Sequence, residues 1–153
     1  MGLEEDVRRN FDSGFNCAES VLLTVGRYSE LAKEGAESFI PRIATGFGGG
    51  IARNGDTCGA LIGGVITIGL AFGRSRPEES REPCYSVVDR FYNEFARTFG
   101  TCRCRELTGV DMKTPEGSDA YRARIHHERC APLVEWAARR AHQLIKENQK
   151  SQS

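Results

Sequence analysis

The chain has 153 residues, carries 21 Lys+Arg against 21 Asp+Glu, and contains six cysteines. That length suits one domain burying about 70% of its unfolded surface, so no disulfide framework is needed to hold it together. Zero net charge excludes a basic nucleic-acid footprint and a polybasic membrane contact.

Met1–Asp6 is acidic and has neither the basic nor the apolar region of a secretory signal, and Asp6 stands where a myristoylation signal wants Ser or Thr. The expectation is a cytoplasmic protein. In a reducing compartment six cysteines point toward metal binding or redox chemistry rather than structural disulfides.

Leu3, Val7 and Phe11 at four-residue spacing predict a short helix ended by Asp12-Ser13-Gly14. Asn16 followed by Glu19 predicts a capping box, opening a second helix from Cys17 to Gly26. Ala36 to Thr45 is expected as a short helix bent or started by Pro41. The glycines of Gly46–Gly55 admit turns with positive φ and close chain approach, and Asp56 or Thr57 is expected to cap a helix whose first turn holds Cys58. A thiol there lies at the positive end of the helix dipole, which favours thiolate.

Gly59–Gly73 carries no charge. As a helix it reaches only about 22 Å against a ~30 Å hydrocarbon core, so it predicts a buried central helix and no membrane insertion. Gly59, Gly63, Gly64, Gly69 and Gly73 leave small faces that admit close neighbours or a second copy, hence a homodimer.

Val87, Val88, Phe91, Tyr92, Phe95 and Phe99 predict an amphipathic helix over Glu78–Phe99, ended by Gly100. One or two helical turns follow around Cys104, capped by Thr101 or Cys102, and Tyr121–Glu128 is expected to be helical. Cys130 then opens the last helix, with Pro132 in its first turn and Leu133, Trp136, Ala137, Ala141, Leu144 and Ile145 as its buried stripe. The reading is all-α: one domain over 1–148, a bundle of five to seven helices around a Gly-rich buried central helix, with 149–153 as a disordered tail.

Cys17, Cys58, Cys104 and Cys130 are each expected in or beside the first turn of a helix. Packed together, those turns would suit a reactive thiolate pair, a thiolate-bound metal or an iron–sulfur cluster. No Cys-x-x-Cys occurs, and Cys102-x-Cys104 alone is a weak ligand pair. The bland alternative is that small apolar cysteines fill a helical core.

The same residues carry a resemblance. Phe15-Asn16-Cys17-Ala18-Glu19, Gly46-Phe47-Gly48-Gly49-Gly50-Ile51, Cys58-Gly59-Ala60-Leu61-Ile62-Gly63, Cys104-Arg105-Glu106-Leu107-Thr108-Gly109 and Cys130-Ala131-Pro132-Leu133-Val134 resemble the C-GCAxxG-C-C family of redox-active proteins. The second cysteine block reads Cys-Gly-Ala here, against Gly-Cys-Ala in the family's label. The resemblance implies a redox role for Cys17, Cys58, Cys104 and Cys130 as cofactor- and metal-binding residues. A similar domain accompanies haem in the split-Soret cytochromes, where an iron–sulfur centre is associated with it. An iron–sulfur cluster, or dithiol/disulfide cycling with a partner electron donor or acceptor protein, is therefore one reading. A zinc or soft-metal Cys₄ module without redox turnover is the alternative.

Cys84 and Cys102 lie outside the four-cysteine pattern. Gly46-x-Gly48-x-x-Ile51 lacks the strand and final glycine of a dinucleotide fingerprint. His126, His127 and Cys130 form a candidate ligand trio, with exposed histidines as the commoner reading. Arg53, Arg103, Arg105 and Arg129 flank the cysteine blocks and are candidates for offsetting thiolate charge.

Overall fold

The computed structural model describes residues 2–152. Among them are seven α-helices, two 3-10 turns and one π-helical stretch, with no strand and one isolated bridge between Thr57 and Arg103. The all-α expectation holds. No helix among the described residues is long and apolar enough to cross a membrane.

Helix α1 (Leu3–Asp12) buries Val7 and Phe11, and α2 (Cys17–Tyr28) begins with the predicted capping box. The helix expected over Ala36–Thr45 is instead two 3-10 turns, Ala36–Ser38 and Arg42–Phe47. Pro41 separates them, because it has no N–H to continue an α-helical ladder.

Helix α3 (Gly59–Phe72) is the buried centre and packs on α2, on α4 (Glu82–Phe99) and on the last helix. Gly59, Gly63 and Gly64 are used within the chain, while Gly69 is not. A Cβ on Gly63 would lie 2.7 Å from the Ala18 carbonyl oxygen of α2, and one on Gly64 would overlap the Phe91 ring of α4. Helix α4 starts at Glu82 rather than Glu78 because Pro83 suits a first turn, and Gly100 at φ 83° ends it as predicted.

After α5 (Cys104–Thr108), the chain from Pro115 to Gln152 is continuously helical. It comprises α6 (Pro115–Ala120), a π-helical stretch (Tyr121–Cys130) and α7 (Ala131–Gln152). Cys130 therefore does not open a helix; it sits where π geometry gives way to α. The α7 stripe of Val134, Ala137, Ala138, Ala141, Leu144 and Ile145 is fully buried, together with Phe91 and Phe95. Each such Phe or Leu contributes about 1.5–3 kcal/mol through burial. Trp136 stacks against Phe91 and meets Phe95 and Phe99 edge-on. The helix runs through most of the stretch expected as a tail, and Ser153 lies outside the described residues.

Candidate functional site

Cys17 is placed by local hydrogen bonding. The Glu19 N–H donates to the Asn16 side chain at 2.9 Å, and the Asn16 N–H donates to the Glu19 carboxylate at 2.8 Å. The same two side chains grip the loop before α3: the Asn16 amide donates to the Thr45 carbonyl at 2.9 Å, and the Thr45 hydroxyl donates to Glu19 at 2.8 Å. The start of α2 and the Gly-rich loop are thus one unit.

That loop contains five successive left-handed residues, Gly49, Gly50, Ile51, Ala52 and Arg53, with φ of 66°, 68°, 66°, 48° and 66°. For the non-glycine members this costs roughly 1–2 kcal/mol each, and Ile51 is a β-branched residue in a region such residues avoid. The strain accompanies close approach to sulfur. The Gly49 N–H faces the Cys17 sulfur, and a Cβ on Gly50 would lie 2.6 Å from Cβ of Cys104.

Cys58 and Cys104 are held together by a backbone clasp between segments far apart in sequence. The Cys58 N–H donates to the Cys102 carbonyl at 2.8 Å, the Cys104 N–H to Asp56 at 2.6 Å and the Arg105 N–H to Gly55 at 3.0 Å. The clasp changes the expected caps. Cys58 is itself the N-cap of α3 with no side-chain capping bond, and Arg103, rather than Thr101 or Cys102, caps α5. Asp56 and Thr57 are engaged with the segment around Arg103 instead.

Cys130 arrives by a different device. Nine residues of α-helix turn through about 900°, which would put Tyr121 and Cys130 on opposite sides. With i→i+5 bonding and about 4.4 residues per turn, the same nine residues close about two whole turns. Tyr121 and Cys130 consequently line the same space.

That space is a chamber of about 50 Å³ bounded by Cys17, Cys58, Cys104 and Cys130, with Phe11 and Tyr121 also in its wall. Cys58, Cys104 and Cys130 are buried, Cys17 is half-buried, and none of the six cysteines is paired. Cys84 and Cys102 are not in the chamber wall.

The electrostatics reverse the expectation of dipole-stabilised thiolates. Burial pushes all four thiols up, and the mutual repulsion of the sulfurs adds to it at Cys58, Cys104 and Cys130. Cys104 is raised from 9.0 to about 11, while the Thr108 hydroxyl and the Arg105 charge pull the other way. N–H groups of Gly49, Ala18 and Gly59 face the Cys17 sulfur, and those of Leu61 and Ala60 face Cys58. They moderate the penalty without overcoming it.

The chamber's tyrosine has no forerunner in the sequence reading, because a period of 3.6 places Tyr121 on the wrong face. Burial raises its phenol above the usual range, and the cysteines add to the effect. His126 is half-buried and stacks on Phe11 with ring centres 3.9 Å apart. It bonds Asp12 at 3.1 Å through Nε2 and Tyr121 at 3.0 Å through Nδ1. With Nε2–H donating to the carboxylate, Nδ1 accepts from the Tyr121 hydroxyl. His127 is paired with Arg8. Among the described residues no three His, Cys, Asp or Glu side chains are arranged around a single ion position. The donor set is four thiols disposed around a cavity, the ligand type taken by iron–sulfur clusters and soft ions.

Fold and site together define a small helical protein in which four of the six cysteines, from four separate segments, meet in one chamber. The chain belongs to the family described as "putative redox-active protein (C_GCAxxG_C_C)", whose model matches residues 15–144. No curated protein and no solved structure matches it.

Proposed function

We propose that Cys17, Cys58, Cys104 and Cys130 together ligate an iron–sulfur cluster, and that the protein exchanges electrons with a separate donor or acceptor in the cytoplasm. The observation carrying this reading is the four-thiol chamber itself. Thiol–disulfide exchange works through an accessible thiolate of lowered pKa. Here burial and mutual repulsion oppose ionisation at these thiols. Four close sulfurs are stable as thiolates only around a positive core, which is what a metal centre supplies. When bound, a cluster supplies one-electron chemistry at a potential set by hydrogen bonds to its sulfurs and by solvent exclusion.

The protein's own contribution is then definite. N–H groups of Ala18, Gly49 and Gly59 face the Cys17 sulfur and those of Ala60 and Leu61 face Cys58, while the Thr108 hydroxyl donates to the Cys104 carbonyl at 2.7 Å. Phe11, Leu107 and Leu133 supply apolar wall around the sulfurs. A Cys₄ zinc site without redox turnover is the alternative occupant, and metal analysis distinguishes the two.

Anaerobic purification or reconstitution, followed by iron, zinc and acid-labile sulfide analysis and a visible spectrum, tests the reading. Iron with sulfide and a broad charge-transfer band is expected. Zinc alone, or four persistently free thiols with no metal, would reject it.

A further inference from the structure

Outside the chamber lies a second, larger recess of about 540 Å³. The two share wall residues: Phe11, Asn16, Gly49, Met112 and Tyr121 line both. The outer recess is therefore separated from the cysteines by a single layer of side chains. Its volume falls within the range of small-molecule sites, about 300–1,000 Å³.

Its chemistry is asymmetric. One side is aromatic: Phe11 carries the stacked His126 ring, Tyr121 stands edge-on to that ring, and Phe15 is 38% exposed. Arg53, exposed and presented by the left-handed segment, also lines the recess. The charged groups near it are already committed. His126 bonds Asp12 and Tyr121, and Asp12 is also paired with Arg8. Arg103 and Arg105 have partners in Glu106 and Asp111. Arg53, by contrast, makes no side-chain hydrogen bond or ion pair among the described residues. The Arg53 guanidinium, carried on strained backbone and without a protein partner, is free to meet an anionic group in this recess.

We propose that this recess binds a small planar redox molecule bearing one anionic group, with the anion on Arg53 and the ring system against Phe15 and the Phe11–His126 stack. The redox character of the ligand rests on the reading of the chamber as a redox centre; the binding chemistry does not. Bound there, the ring lies across the Tyr121 layer from the cysteines, so this recess is where a diffusible electron carrier meets the centre.

Anthraquinone-2-sulfonate is a suitable probe, titrated into the full chain and followed by calorimetry, with neutral 2-(hydroxymethyl)anthraquinone as the uncharged control. Saturable one-to-one binding of the sulfonate is expected. Arg53→Gln should weaken it about tenfold or more, Arg53→Lys should retain part of it, and neither should alter binding of the neutral probe. An unchanged unfolding midpoint in Arg53→Gln establishes that the fold is intact. Absence of saturable sulfonate binding, or binding indifferent to Arg53→Gln, overturns the proposal. The same titration on Cys130→Ser separates the two readings. Binding that persists there while the wild type never takes up iron and sulfide upholds the recess and rejects the cluster. Cluster uptake without sulfonate binding does the reverse.

Discussion

Cys17 and Cys130 reach the same chamber by opposite routes. Cys17 is the first residue of a helix whose start is written locally, by Asn16 and Glu19 three residues apart. Cys130 lies inside an unbroken helix and faces the chamber because ten residues adopt π rather than α geometry. Cys58 and Cys104 resemble the second case, since the clasp joining them pairs residues 55–58 with 102–105. One corner of the site is local in origin and three depend on tertiary structure.

Disturbing the tertiary corners should therefore do more damage than disturbing the local one. The largest effect is expected at Gly50, where φ is 68° and a Cβ would meet both the Asp56 backbone and the Cys104 side chain at 2.6–2.7 Å. Gly50→Ala should cost about 3 kcal/mol or more in denaturant unfolding, from strain added to the left-handed penalty. A cost below about 1 kcal/mol would show that the loop can retreat from Cys104. At the local corner Asn16→Ala removes the cap and one bond to the Thr45 carbonyl, so about 1–2 kcal/mol is expected, with the chamber preserved. A loss as large as that of Gly50→Ala would mean that the Thr45 contact of Asn16, not its capping role, dominates.

The smallest of the three effects concerns pH, and its sign follows from the direction of the thiol shifts. Cys104 ionises near 9.0 when unfolded and near 11 when folded, so the folded state favours the neutral thiol. Its contribution to the stability of the metal-free protein is complete below pH 9 and is lost as pH rises toward 11. Unfolding of the metal-free chain should thus become easier across that window, and Cys104→Ser should flatten the slope. Thiolate absorbance appearing below pH 9 in the folded chain would contradict the burial argument.

The same division explains how much was legible in the sequence. The capping box, the Gly100 stop, the central glycine helix and the α7 stripe depend on local chemistry or on a 3.6 period, and each was readable. The Asp56/Thr57 cap was misread because a β-like clasp to a distant segment claims those residues. Tyr121 was missed because nothing in the composition of Tyr121–Cys130 signals a π turn, and α periodicity points its ring away. The dipole argument at Cys58 has the right local sign, since the Ala60 and Leu61 N–H groups favour thiolate, but burial outweighs it. Partial charges at a helix start are weak beside the cost of burying four sulfurs together, which only the assembled chamber reveals.

The central claim is that these four cysteines, and not Cys84, form one centre. Iron and acid-labile sulfide per chain, measured after anaerobic reconstitution of the wild type and of single Cys→Ser variants, test it most directly. Cys17→Ser, Cys58→Ser, Cys104→Ser and Cys130→Ser should each lose cluster occupancy, while Cys84→Ser keeps it. Full occupancy in Cys130→Ser, or loss in Cys84→Ser equal to that in the other four, would contradict the account.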